Sequence, residues 1–121
     1  MKVAIATQDL ARVDAHLGWV RHLMLYEVDE EGYRYLGLET LADGDPSLRL
    51  RAMAGCRLVF AADVDADGEF QLARLQVIPI RKFAGEPVAL ALEALRDGMR
   101  GHAPLWLRQA EQKYRRESIN G

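Results

Sequence analysis

Apolar and polar positions repeat with two different periods along this chain, and each change of period marks an element. Lys2 to Thr7 is short, apolar and partly β-branched, and it ends on polar Gln8-Asp9, which predicts a buried first strand. Leu10 to Gly18 keeps no period and predicts a loop. From Arg21 to Asp29 the chain alternates, with Leu23, Leu25 and Glu27 on one face and Met24, Tyr26 and Val28 on the other. Glu30-Glu31-Gly32 supplies a turn and Tyr33 to Leu41 alternates again, so the two segments predict a hairpin.

The second half changes character. Asp43-Gly44-Asp45-Pro46 breaks the chain, with Asp45 placed as a helix cap and Pro46 at the first helical position. Leu48, Leu50 and Met53 then line the buried side of a short helix that stops at Gly55. Leu58 to Ala62 is a continuous apolar run and predicts a strand covered on both faces. After a loop from Asp63 to Gly68, Phe70, Leu72, Ala73 and Leu75 suit a short helix beginning near Glu69. Val77 to Ile80 predicts the last strand, and Pro79 pushes it to the sheet edge. Glu86-Pro87 opens the clearest amphipathic helix, with Val88, Leu92, Leu95 and Met99 at spacings of three and four. Gly101 to Pro104 interrupts, and Leu105 to Arg116 forms a charged terminal helix whose apolar side is Leu105, Trp106, Leu107 and Tyr114.

Strands early, then helix and strand in turn, predict an α/β fold: a mixed five-stranded sheet with helices on both faces. The later strands need right-handed crossovers and so run parallel. We expect an α/β domain over 1–103 and a helical tail over 104–121. At 121 residues, half of them apolar, the chain has material for one domain and its core. A net charge of −2 excludes a general attraction to nucleic acid or an anionic membrane, so an anionic ligand needs local groups to hold it. No run approaches a membrane span, and Met1-Lys2 leads straight into a strand without a signal-peptide pattern, so a cytoplasmic protein is expected. One cysteine, Cys56, excludes an intrachain disulfide and any all-cysteine zinc or iron–sulfur site.

The chemistry concentrates in Val13-Asp14-Ala15-His16-Leu17-Gly18-Trp19. Ligands of such sheets sit beyond the carboxyl ends of parallel strands. If the first strand and the Leu58 to Ala62 strand are parallel, the His16 loop and the Asp63 to Gly68 loop share that end. Free N–H groups of the helix near Glu69 would then face the same space and suit an anion. His16 is either a loop histidine bonded to nearby backbone or a soft-metal ligand. Asp14 is a turn former before it is a base. Cys56 precedes its strand, hence lies at the opposite end, and is expected to be a buried small hydrophobe. His22 and His102 show no metal-ligand spacing. Asp63, Asp65, Asp67 and Gly68 match the first half of a calcium loop, but Arg74 occupies its twelfth position, which favours an acidic turn capping the next helix. Arg12, Arg21, Arg81 and Lys82 flank this end or its edges and offer charge for an anion.

These residues also carry a likeness. Lys2 to Thr7 followed by Val13-Asp14-Ala15-His16-Leu17-Gly18 resembles the start of the nitrogenase iron–molybdenum cofactor-binding family of NifX-type and NafY-type carriers. Tyr26-Glu27-Val28, Gly55-Cys56, Ala73-Arg74-Leu75, Val77-Ile78-Pro79-Ile80 and Pro104-Leu105-Trp106-Leu107 continue it. The resemblance implies a ribonuclease-H-like fold and a small non-catalytic carrier. Its cargo would be the iron–molybdenum cofactor or its iron–sulfur precursor, and its partners nitrogenase cofactor-assembly proteins or apo-dinitrogenase. His16 matches the family's candidate cluster ligand, with Asp14 and Gly18 as shapers of the loop, and Arg12 is added as a balancing charge. Leu17 stands where the family usually has phenylalanine, and Asp65 to Glu69 replaces a glycine- and alanine-rich turn.

Two other functions compete. A two-metal nuclease would use Asp9, Asp14, Asp63 or Asp65, but these acids sit in loops and the chain lacks a basic surface. An interaction module would dock through Trp106 and Tyr114, leaving His16 incidental.

Overall fold

The computed structural model describes residues 1–41, 46–101 and 103–120, with side chains as far as 112. Asp43 to Asp45 with the expected cap, His102, and the side chains of Lys113, Tyr114 and Arg116 lie outside the described residues, while Pro46 opens the first helix as expected.

Five strands form one sheet: β1 (Lys2–Thr7), β2 (His22–Val28), β3 (Tyr33–Thr40), β4 (Leu58–Phe60) and β5 (Ile78–Ile80), in the order β3-β2-β1-β4-β5. The hairpin pairs antiparallel and β2 lies antiparallel to β1, while β4 runs parallel to both β1 and β5. Every residue of β1 but Lys2 is buried, as a central strand requires, and Pro79 sits in an edge strand, where a missing N–H costs no ladder bond.

The side-chain period of two splits the core into two layers. Ala4, Ala6, Leu23 and Leu25 face α1 (Pro46–Met53) and α2 (Ala66–Leu75) through Met53 and Leu72. Val3, Ile5, Val28 and Phe60 face α3 (Val88–Arg100) and α4 (Leu105–Asn120) through Leu92, Leu95 and Leu107. Helices therefore cover both faces of a mixed sheet in a single α/β domain. Truncating a core leucine such as Leu95 to alanine would cost about 2–5 kcal/mol. Gly98 lets α3 pass close to the start of α4, since a Cβ there would lie 2.7 Å from Pro104 Cδ.

Several local expectations change. Of the three residues meant to line α1, Met53 is buried and Leu50 packs partly against the core, whereas Leu48 is exposed. Phe70 is 66% exposed, although α2 is amphipathic about Leu72. β4 ends at Phe60, short of the expected Ala62: Ala61 N–H still donates to Ile80 C=O of β5, but Ala62 N–H turns to Ala15 C=O, in the His16 loop. α2 starts at Ala66, three residues before the expected Glu69, because Asp65 caps it. Trp106 turns inward, its ring packing against Phe60 and Phe83 at centroid distances of 6.4 and 5.2 Å. A side chain spent on the core is a poor anchor for a partner, which removes the main support for docking through Trp106.

Candidate functional site

The site is built by lacing the loop after β1 to its neighbours on both sides. On one side Val13 N–H donates to Glu86 C=O, Gly85 N–H to Val13 C=O and Val88 N–H to Ala11 C=O. On the other, Leu17 N–H donates to Asp63 C=O, so that His16 and Asp63 lie side by side as an isolated parallel bridge. The loop thus continues the sheet beyond β4 and shares one end of it with the Asp63 to Gly68 segment. Apolar anchors Val13, Ala15 and Leu17 are buried on alternate positions, which turns the intervening Asp14 and His16 outward.

The loop closes in a 3-10 turn over Leu17–Trp19, where an aperiodic loop was expected. His16 caps this turn: its Nδ1 accepts the Gly18 N–H at 2.8 Å. In a 3-10 turn the side chains at i and i+3 eclipse. Trp19 therefore lies flat on the His16 ring, with centroids 3.9 Å apart and planes within 5°. Gly18 leaves the ring its room, since a Cβ would come to 3.0 Å from His16 Cε1 and Nδ1 and the ring would have to give by a few tenths of an ångström. Arg49 fixes the turn from α1 by donating to Gly18 C=O at 2.8 Å.

This geometry decides what the imidazole can do. An acceptor Nδ1 places the proton of the neutral ring on Nε2. The one lone pair is thus already given to the Gly18 amide. A metal can bind Nδ1 by displacing that amide, or Nε2 once the proton has moved. Both routes spend the cap of the turn.

The other expected residues shape the loop at a distance from the ring. Asp14 turns back to β1, accepting the Gln8 N–H at 2.6 Å and the Thr7 hydroxyl at 3.3 Å. Arg12 donates to Gly85 C=O at 3.2 Å. Asp9 accepts the N–H groups of Ala11 and Arg12 at 2.8 Å each, and these bonds, ahead of the Thr7 hydroxyl and the Arg12 charge, hold its carboxyl below the usual value of 3.8. Arg81 is paired with Glu69 at 2.7 Å and Asp63 at 3.5 Å. The acids offered for a nuclease are thereby spent on local bonds, and among the described residues no group of three or more His, Cys, Asp or Glu converges on a metal position.

The helix terminus expected to receive an anion is closed. Asp65 accepts the Gly68 N–H at 2.7 Å, and Asp67 and Glu69 add negative charge to the first turn of α2. The acidic run is a helix cap. Cys56 lies at the far end of the sheet, next to the Arg57 N–H that donates to Lys2 C=O, and burial pushes its thiol pKa up.

Trp19 was given no role by the sequence. Its signal was the i, i+3 spacing from His16, which becomes informative once the loop is known to turn as a 3-10 helix. At 71% exposure it is the most exposed large apolar side chain among the described residues.

Comparison with known proteins agrees with this architecture. The pattern of the family described as "dinitrogenase iron-molybdenum cofactor" matches residues 1–98. Protein NifX of Herbaspirillum seropedicae is 30% identical over 128 residues, covering 99% of this chain and 88% of its own. Protein NifX of Azotobacter vinelandii is 30% identical, covering 95% and 77%. Among solved structures, the NMR structure of a Thermotoga protein, provisionally described as NifB, superposes with a TM-score of 0.57 at 21% identity over 81% of this chain and 89% of that one. The crystal structure of PH0822 gives 0.64 at 16%, covering 88% and 98%. The chain belongs to the NifX-type dinitrogenase iron–molybdenum cofactor family.

Proposed function

We propose that this chain is a non-catalytic carrier in nitrogenase cofactor biosynthesis, binding the iron–molybdenum cofactor or its iron–sulfur precursor through His16 and passing it to an assembly partner. The observation that carries it is the presentation of His16: one soft ligand, at the carboxyl end of a parallel strand pair, clamped between the Gly18 amide and an exposed indole. A resident cluster takes about four cysteine ligands, whereas the single thiol here is buried at the other end. A preassembled cluster held by one imidazole can be given up again. The NifX and NifY names of the relatives support a place in cofactor assembly, whose proteins, or apo-dinitrogenase, are the proposed partners. The strand order, with β2 antiparallel beside a central β1, supports a ribonuclease-H-like class. No described helix is long and apolar enough to cross a membrane, in keeping with a cytoplasmic carrier.

The test is anaerobic titration of the protein with isolated cofactor or its precursor, followed by visible absorption and co-elution, beside His16→Ala. Tight binding that the substitution weakens supports the carrier and its ligand. Binding untouched by it moves the site elsewhere. No binding by either protein overturns the carrier function.

A further inference from the structure

β3 closes one side of the sheet, and among the described residues nothing pairs with its outer edge. Bare edges invite pairing with another chain, and proteins blunt them by keeping them short or by placing proline there. β5, at the other side, has three residues with Pro79 in the middle. β3 has eight and no proline, and its Tyr33, Tyr35, Leu36 and Leu38 are exposed.

This edge has an internal symmetry. Leu41 N–H donates to Arg21 C=O at one end of the hairpin, and Asp29 N–H donates to Gly32 C=O at the other. Across an antiparallel pair, facing residues exchange such bonds at every second position. Glu39 and Arg34 therefore bond toward β2, whereas Thr40, Leu38, Tyr35 and Tyr33 turn their N–H and C=O groups outward. The outward set passes from even to odd numbers because β3 carries a bulge: Leu25 faces Gly37 but Tyr26 faces Tyr35, which leaves Leu36 extra. That one residue makes the outward set symmetric about the Leu36–Gly37 bond.

We propose that β3 pairs antiparallel with β3 of a second copy of this chain, about a two-fold axis at Leu36–Gly37. The outward groups then meet in bonded pairs, Tyr33 with Thr40 and Tyr35 with Leu38, once in each direction. The side chains agree with that register. Arg34 and Glu39 lie on one face of the sheet, opposite Glu27 and Leu23 of β2, and neither has an ion-pair partner among the described residues. In the pair each Arg34 faces Glu39 of the other copy. Gly37 has neither a positive φ nor a crowded Cβ position to explain a glycine inside a strand, and it leaves room for Leu36 of the other copy. Such a contact closes on itself, and the short β5 edge offers no strand for further growth. Because β3 runs in the direction of β1, the two His16 ends point opposite ways and each copy keeps its own site. The pairing does not depend on what His16 binds.

Sedimentation equilibrium of the full chain from about 1 to 500 μM tests it, beside Arg34→Glu, Glu39→Arg and an equimolar mixture of these two variants, with amide spectra to confirm folding. The wild type should dimerise. Each variant alone sets like charges opposite one another at both places and should weaken the dimer about tenfold or more. The mixture should associate as the wild type does, since every facing pair is again of opposite charge. Hydrogen exchange of the Tyr35 and Leu38 amides should slow as concentration rises, while the Arg34 and Glu39 amides, bonded to β2, should not respond. A dimer indifferent to both single variants, or a mixture that stays monomeric, would overturn the register and with it the proposal. A monomeric wild type would overturn it too and leave the edge to a strand of a different protein.

Discussion

The two ends of the sheet treat their soft ligands in opposite ways. At the carboxyl end of β1 and β4, His16 is held by one backbone bond and one stacked ring, beside two open cavities. At the amino end, Cys56 is 4% exposed, its amide bonded to Met53 C=O and its thiol packed in the layer that includes Leu25, Met53 and Val77. Both residues could bind a soft metal. Only the imidazole stands at an open end of the sheet. The lesson is that ligand type alone does not mark a site; the end of the sheet does, because loops at the carboxyl ends of parallel strands are free to differ while the opposite end is closed by packing.

The largest expected effect is at Gly18. An alanine Cβ would stand 3.0 Å from the His16 ring, which must shift by a few tenths of an ångström while Trp19 lies flat on it. Gly18→Ala should weaken ligand binding about 10–100-fold, as misplacing a metal ligand does, while the melting temperature moves little. Equal binding by this variant would mean that the clamped ring position does not matter. Trp19→Ala removes the stack without touching the cap, and its cost in affinity should be about 0.5–1.5 kcal/mol, the worth of an aromatic pair. Trp19→Phe should recover most of it. Both are read by the same anaerobic titration.

At the closed end the substitutions should act on stability alone. Cys56→Ser puts a hydroxyl where a thiol is packed, and urea unfolding should show a loss of about 1–3 kcal/mol, the penalty for an unpaired buried polar group, with ligand affinity unchanged. The raised thiol pKa adds a kinetic signature. Iodoacetamide should label Cys56 slowly in the native protein and at the rate of a free thiol once urea opens the fold. Fast native labelling, or a loss of ligand affinity in Cys56→Ser, would erase the contrast between the two ends.

Much of this was legible before the structure. β1, the hairpin and α3 follow from periods of 2 and 3.6 over long enough stretches, and the sharing of one sheet end by the loops of His16 and Asp63 follows from a parallel β1 and β4. What failed depended on local competition. The start of α2 moved because Asp65 reached the Gly68 amide first, and the same carboxylate closed the anion site that an uncapped terminus would have been. Leu48 and Phe70 look apolar on paper, but short helices expose whatever the neighbouring element does not cover. The His16–Trp19 stack was hidden because a 3-10 turn has no hydrophobic period to betray it.

The smallest expected effect separates the two ends by pH. Asp9 holds the first turn of the loop that carries His16, accepting the Ala11 and Arg12 amides, and Leu10 between them takes a left-handed φ of 64°, a conformation costly for leucine. The folded carboxyl titrates below its ordinary 3.8, so its contribution is fully present above that value and is lost as pH falls through the lower folded one. Cys56, shifted upward, titrates only on the alkaline side. Acidification from about pH 5 to about pH 2 should therefore loosen the His16 end first, seen as shifts of the Ala11 and Arg12 amides and of the Trp19 indole before global unfolding. The Asp9→Asn variant should lack that early phase, because its amide oxygen accepts the same bonds without titrating. If the carboxyl of Asp9 titrates at or above 3.8, the turn is held by the Gly85 to Val88 lacing instead, and the two ends of the sheet respond to acid alike.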